Sequence, residues 1–585
     1  MMKSDLVKVV LILLVFTFTS CKERDDDFVY EPEDSVKNIN LKVVTDQARY
    51  TPGSEVTFTA DNVPQEVTVR YRHLNETLME EPMTSKTWTW SPPTEDFKGY
   101  MVEFFHFVNG EEEVISSVAV DVSSDWTRFP RYGFLSEFGN LSDIEINSTL
   151  TNLKDYHING LQYYDWHNKH HSPLKMNGTS PATTWVDVIG RQISFATVES
   201  YISRAQEMNM ASMQYNLLYG AWDDYATDGV SEEWMIYSDA NHQNVNKHNL
   251  PDDWESDILV TNPANQEWQS YIFEKTRLVY DHLEFDGWHL DQLGDRGRVF
   301  DYFGNVISLN ETYAPFLNNL YADFPDKKMV LNAVNQYGQA EILSTAVDFA
   351  YTEVWDPNNT YKALADIILK NNEWSNGKLN TVLAAYMNYD LANSPGSFNT
   401  PAVLLADAVI FAFGGAHLEL GEHMLAKEYF PNNNLKMRDD LKSALMEYYD
   451  FMVAYQNLLR DGGEFIYPEL QSGDGKMNIG SWPPQIGHVS VFGKEFANRR
   501  VVHLINFNSA NSLNWRDNNG TQPFPAEVKN FRVNFISNQT ITRVWWASPD
   551  VNQGVSHELD FVQNGSQVSL TLPSLTFWDM LVVEY

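Results

Sequence analysis

Two short apolar runs in this 585-residue chain end in a carboxylate. Phe285-Asp286-Gly287-Trp288-His289-Leu290 closes on Asp291, and Asp348-Phe349-Ala350-Tyr351-Thr352 closes on Glu353, with Val354-Trp355 following. A buried strand that ends in an acid sets that acid at a rim rather than in a core. Two such acids can divide a bond cleavage, one donating a proton to a leaving oxygen while the other meets the carbon being released. Cleavage of a glycosidic bond asks for this pair. A cation held by Asp286, Asp291 and Asp295 is the competing reading. Their spacing matches no Ca²⁺ loop and no His pair supports zinc, so neither metal nor other cofactor is expected.

Acids on different strands reach one bond only if a sheet brings the strand ends together. Eight apolar runs recur with helical stretches between many of them: Arg131–Leu135, Gly160–Tyr164, Ala211–Tyr215, Gly287–Leu290, Lys328–Leu331, Asp348–Tyr351, Thr381–Ala385 and Val409–Phe413. Phe195–Met208 and Trp268–His282 are two of the helical stretches, the second with Ile272, Thr276, Val279 and Tyr280 near one face. The pattern predicts a (β/α)₈ TIM barrel over 125–464, its longest insertion at about 220–262. An open doubly wound sheet is the alternative, but no Gly-rich phosphate turn follows the first strand. Short alternating runs before and after it predict two flanking domains, an immunoglobulin-like β-sandwich over 37–124 and an antiparallel β-sandwich over 465–585.

A barrel gathers its active site at the C-terminal strand ends. The polar residues there are Asp165 and His167, Asn216, Asp291, Asn332, Glu353, Tyr386 and Asn388, then His417 and Glu419. Any one of them alone is as well read as a helix N-cap. As a set they predict one mouth, with Asp291 and Glu353 catalytic and Asp165, Asn216, Asn332, Tyr386, His417 and Glu419 binding substrate.

At the N-terminus, Lys3 and Lys8 precede an apolar run, Val9–Phe18, and then Thr19-Ser20-Cys21. That is a secretory signal of residues 1–21, too short to span a bilayer. Cys21 is the only cysteine, which excludes disulfides, and it resembles the acylated residue of a bacterial lipoprotein. An acidic tether, 22–36, follows. The expected location is the bacterial cell envelope, at the outer membrane and facing the cell surface, with the chain monomeric and held to the membrane by its lipid. A formal charge of −38 with no basic stripe argues against nucleic acid. Seventeen Trp within 14% aromatic residues suit the stacking faces of an open sugar site.

FDGWHLDQLG, from Phe285 to Gly294, resembles the nucleophile motif of glycoside hydrolase family 66, the dextranases and cycloisomaltooligosaccharide glucanotransferases. Tyr351–Trp355 is similar to the acid/base segment of that family. Tyr215–Ala221 and Gly414–Leu425 extend the likeness, which covers about 40–585. The resemblance implies that Asp291 is the nucleophile and Glu353 the general acid/base of a retaining α-1,6-glucanase. It also implies that Asp165, Tyr215, Asn332 and His417 line the sugar subsite and that dextran is the substrate. The cyclising members carry a carbohydrate-binding module inserted in the barrel, and the longest insertion here is too short for one. Endo-hydrolysis to isomaltooligosaccharides, with some transglycosylation, is therefore the expectation. The alternatives are another retaining α-glycosidase, α-galactosidase-like, and a surface glycan-binding lipoprotein without catalysis.

Overall fold

A computed structural model describes residues 41–585. The signal segment, Cys21 and the tether lie outside the described residues. The rest is multidomain, with strands far outnumbering helices.

Near the N-terminus a three-stranded antiparallel sheet (Val43–Thr45, Val56–Ala60, Thr87–Trp90) packs against a four-stranded one. The latter is ordered Glu76–Pro82, Thr68–His73, Lys98–Val108 and Glu111–Val122. Alternation along the strands turns Phe58, Tyr71, Trp90 and Tyr100 into one aromatic core between the sheets. At the C-terminal end, a larger sheet built around Val489–Glu495, Arg499–Asn506 and Trp578–Glu584 faces a four-stranded sheet built around Val528–Ile536 and Gln567–Leu575. Their shared core includes Leu504, Phe531, Trp546, Leu570 and Leu581.

Between these regions run eight parallel strands: β1 (Tyr132–Leu135), β2 (Gly160–Tyr163), β3 (Ala211–Leu217), β4 (Gly287–Asp291), β5 (Lys328–Leu331), β6 (Ala350–Glu353), β7 (Thr381–Ala384) and β8 (Ala416–His417). They pair strictly in sequence order, as β5-β4-β3-β2-β1 and as β6-β7-β8. The closed barrel expected from the sequence is not formed as one continuous ladder. A single bridge, Asn332 to Tyr351, links β5 to β6. On the other side the Phe134 N–H donates to the Leu420 carbonyl at 3.0 Å, just past β8. The ladder fails there because β8 is only two residues long.

That short strand also corrects the eighth run. Val409–Phe413 is not a strand; all but Phe413 lie in the helix Thr400–Ala412, which starts at a first-turn proline and is buried at every position. A helix with no solvent face loses its 3.6-residue polar rhythm, so its apolar run reads like a buried strand. The chain turns at Gly414, whose φ of 86° is left-handed, before β8 begins.

Aspartates brace the opposite ends of the strands. Asp286, just before β4, accepts the Ser212 N–H of β3 at 2.7 Å, and Asp348, just before β6, accepts the Met329 N–H of β5 at 2.7 Å. Asp286 and Asp291 thus sit at opposite ends of a five-residue strand, about 16 Å apart at 3.3 Å per residue, and share no cation. The insertion after β3 forms its own sheet of Gly220–Ala221, Ile258–Val260 and Lys247–His248.

Candidate active site

The C-terminal ends of the parallel strands open into a cavity of about 480 Å³. Period-two alternation decides which side chains enter it. His289 and Asp291 on β4 share a face, as do Tyr351 and Glu353 on β6, and all four line the cavity. His289 and Tyr351 form the layer beneath, ring centroids 4.7 Å apart, while the two acids stand at the rim.

Asn332, one residue past β5, joins the two acids. Its side-chain oxygen accepts the Glu353 backbone N–H at 3.2 Å, which orients the amide. The amide nitrogen then donates to Asp291 Oδ1 at 2.8 Å and to Glu353 Oε2 at 3.2 Å. One atom touches both carboxylates, so those two oxygens lie no farther apart than about 6 Å, the sum of the contacts. Asp291 also accepts the Tyr215 hydroxyl at 2.6 Å and the Gln292 N–H at 2.8 Å. The other Glu353 oxygen accepts the Tyr386 hydroxyl at 2.7 Å.

The two acids differ in their tendency to ionise. Burial pushes Glu353 up to about 7, and the charge of Asp291 adds to that. Burial raises Asp291 as well, but hydrogen bonds from Tyr215, Asn332 and the Gln292 backbone all favour its ionised form. The hydrogen bonds thus favour the charge on Asp291, whereas burial and the neighbouring Asp291 charge favour the proton on Glu353. Two carboxyls at one cavity wall whose surroundings favour opposite protonation states have the properties that an acid and nucleophile pair requires.

Asp165 lines the same cavity from the turn after β2, on a left-handed backbone with φ 49°. Burial, helped by the charge of Asp187, pushes it up to about 7. Tyr215, Asn332 and Tyr386 line the cavity too. Asn216, His417 and Glu419 do not. Asn216 follows Tyr215 on an extended strand, so its side chain points the other way and its amide donates to the His170 carbonyl at 2.8 Å. His417 is turned onto Asp407 of the buried helix at 2.8 Å and onto the Ala385 carbonyl at 2.7 Å. Glu419 accepts the Tyr449 hydroxyl at 3.0 Å behind it.

Several lining residues come from loops whose sequence shows no periodicity. Trp254 reaches in from the insertion after β3, and Glu428, Tyr429 and Phe430 from the chain after β8. Phe430 stacks on Tyr164 with ring centroids 4.2 Å apart, and Trp254 meets Tyr429 at 5.9 Å. The one available signal was aromatic density next to strand ends, as at Tyr164 and Trp355.

A family model described as glycosyl hydrolase family 66 matches residues 45–582. The chain belongs to that family. It is a glycoside hydrolase, in a family whose members also include transglycosylating enzymes. A cycloisomaltooligosaccharide glucanotransferase of Niallia circulans is 30% identical, the match covering 93% of this chain and 72% of that one. A dextranase of Streptococcus salivarius is 24% identical over 83% of this chain and 67% of its own. The crystal structure of a Paenibacillus cycloisomaltooligosaccharide glucanotransferase complexed with cycloisomaltoheptaose superposes with a TM-score of 0.85 at 27% identity, covering 92% of this chain and 99% of that one.

Proposed function

We propose that this family 66 enzyme hydrolyses α-1,6-glucosidic linkages inside dextran by a retaining, two-step route. Asp291 is the nucleophile and Glu353 the general acid/base, at the mouth of eight parallel strands arranged as a (β/α)₈ barrel. The observation that carries this reading is the Asn332 amide shared by both carboxylates. One oxygen of each lies within about 6 Å of the other, a spacing that favours the roughly 5–5.5 Å carboxyl separation of a retaining pair over the roughly 6.5–9.5 Å of an inverting one.

In the first step an Asp291 oxygen bonds to the anomeric carbon as that carbon's bond to the leaving oxygen breaks. The Glu353 proton goes to the leaving oxygen. With Asp291 esterified its charge is gone, so Glu353, having given up its proton, stays ionised and can take one from water. Water then attacks the anomeric carbon, its proton passes to Glu353, and Asp291 is released as carboxylate. Tyr215 and Asn332 hold the nucleophile, and Tyr386 holds the acid. Asp165 offers its buried carboxyl to a glucosyl hydroxyl.

The relatives named for cyclisation and for dextran hydrolysis support an α-1,6-glucan as substrate. Hydrolysis is favoured over cyclisation by what this chain lacks relative to the glucanotransferase. Their alignment runs over 716 positions yet uses 93% of a 585-residue chain, so well over a hundred positions of the relative face no residue here.

Reducing-end release from dextran, beside starch and α-galactosides, tests substrate, and the product profile separates linear from cyclic sugars. Azide tests the roles. Asp291→Gly should lose dextran hydrolysis, and added azide should give a β-glycosyl azide of inverted configuration. Glu353→Gly on an activated aryl α-glycoside should be rescued by azide to the α-azide of retained configuration. Release from starch or galactosides alone would overturn the substrate, and matching stereochemistry in the two variants would overturn the roles.

A further inference from the structure

Glu353 and the Tyr386 hydroxyl that holds it stand on neighbouring strands, and one side chain from far along the sequence grips the ends of both strands. The segment Leu513–Gln522 lies between two strands of the C-terminal β region, Arg499–Asn506 and Val528–Ile536, and passes across the ends of β6 and β7. It is bound there along its backbone. The Trp515 N–H donates to the Asn359 carbonyl at 3.1 Å, the Asn388 N–H to the Arg516 carbonyl at 2.8 Å, and the Leu391 N–H to the Asn518 carbonyl at 2.9 Å. Asn388, one of the strand-end amides, is spent on this junction, its side chain donating to the Asp517 carbonyl at 2.7 Å.

At the centre of the segment Arg516 is 5% exposed. One guanidinium nitrogen donates to the carbonyl of Val354, the residue after Glu353, at 2.8 Å. The other donates at 3.3 Å to the carbonyl of Tyr386 itself. The guanidinium also lies over the rings of Trp355, Tyr389 and Trp515, at 5.1, 5.4 and 4.6 Å from their centroids. Among the described residues no carboxylate forms an ion pair with it. Its charge is met at contact distance by carbonyl dipoles and π faces, with Asp356 acting on it at longer range. A buried, unpaired cation is a costly way to fasten a loop, since desolvation opposes it. What a planar fork provides that a neutral side chain does not is a fixed spacing between two acceptors.

We propose that Arg516 is a positioning residue for the proton donor: its fork sets the ends of β6 and β7 so that Glu353 is held on Tyr386 and aimed at the leaving oxygen. This rests on the reading of Glu353 as acid/base. A misplaced donor matters when the leaving group needs a proton and not when it departs unaided, so loss of Arg516 should discriminate between substrates.

The experiment compares full-length wild type, Arg516→Lys, Arg516→Met and Glu353→Gln on dextran and on an aryl α-isomaltoside with a strongly acidic phenol. kcat/KM is read because it reports the glycosylation step. Arg516→Lys keeps the charge without the fork, so it decides the matter if Arg516→Met does not fold. Both variants should lose at least about tenfold on dextran and less than about threefold on the aryl glycoside, with the alkaline limb of the dextran profile displaced. Equal losses on both substrates, or wild-type rates on both, would overturn the proposal. If Glu353→Gln itself fails to discriminate between the substrates, the assignment of Glu353 has failed instead. If only Glu353→Gln discriminates, Arg516 alone has.

Discussion

At the residue scale the site is a single hydrogen-bonded unit, and its members report on one another. Asp291 contributes to the elevation of Glu353 but burial contributes more. Asp291→Asn should therefore lower the Glu353 titration while leaving it above the ordinary carboxylate range, as ¹³C-labelled Glu would show by NMR. A Glu353 signal that does not move would mean the two carboxyls are not coupled. Asn332 acts in the opposite sense, because its amide stabilises both charged forms. Asn332→Ala should raise both titrations, moving the whole pH–rate profile upward. It should also cost about 10- to 100-fold in kcat on dextran, the equivalent of about 1.5–3 kcal/mol for a hydrogen bond to charge. An unshifted profile with normal kcat would leave Asn332 no part in holding the pair.

At the element scale, the relative placement of Asp291 and Asn332 depends on how closely β4 approaches β5. Gly287 sets that approach: a Cβ there would stand 2.2 Å from the Lys328 carbonyl oxygen, which is backbone and cannot swing aside. Gly287→Ala should force the strands apart, costing about 1–3 kcal/mol in urea unfolding. It should depress kcat more than it changes KM, because it moves Asp291 against its amide partner. Gly139→Ala, whose added Cβ would meet nothing nearer than 3.9 Å, is the control expected to behave as wild type. Equal stability and activity in the two variants would show that this contact does not set the strand spacing.

At the scale of the whole molecule, buried titratable groups shape the response to pH. Burial pushes Asp165, Glu353 and Glu422 up to about 7, and it raises Asp407 too. Unfolded, these carboxyls titrate near about 4, so the folded state binds more protons between those values and stability falls as pH climbs through about 7. Buried His167, His289 and His503, pushed down to about 3, act the other way, adding stability as pH rises toward their unfolded value near about 6.5. Above that value these histidines add nothing further, the carboxyl effect continues up to about 7, and the formal charge of −38 adds repulsion. Thermal unfolding followed by circular dichroism should therefore show a Tm that declines from about pH 6.5 to about pH 7.5. A Tm that is flat or rising over that interval would mean these acids are not held protonated.

The sequence by itself determined most of the strand positions and both candidate catalytic acids. A strand is a local pattern, and an acid ending an apolar run is visible in a few consecutive residues, as at Asp291 and Glu353. It also carried the family, through motifs that are themselves continuous segments. Tertiary structure decided what depends on direction or distance. Asn216 and Tyr215 are neighbours in sequence, yet only Tyr215 faces the cavity, because adjacent side chains on a strand diverge. The helix Thr400–Ala412 passed for a strand because complete burial erased its polar face, and with it went the placement of His417 and Glu419. Trp254, Tyr429 and Arg516 left no local signal, since their roles come from contacts across dozens or hundreds of residues that only the folded chain brings into range.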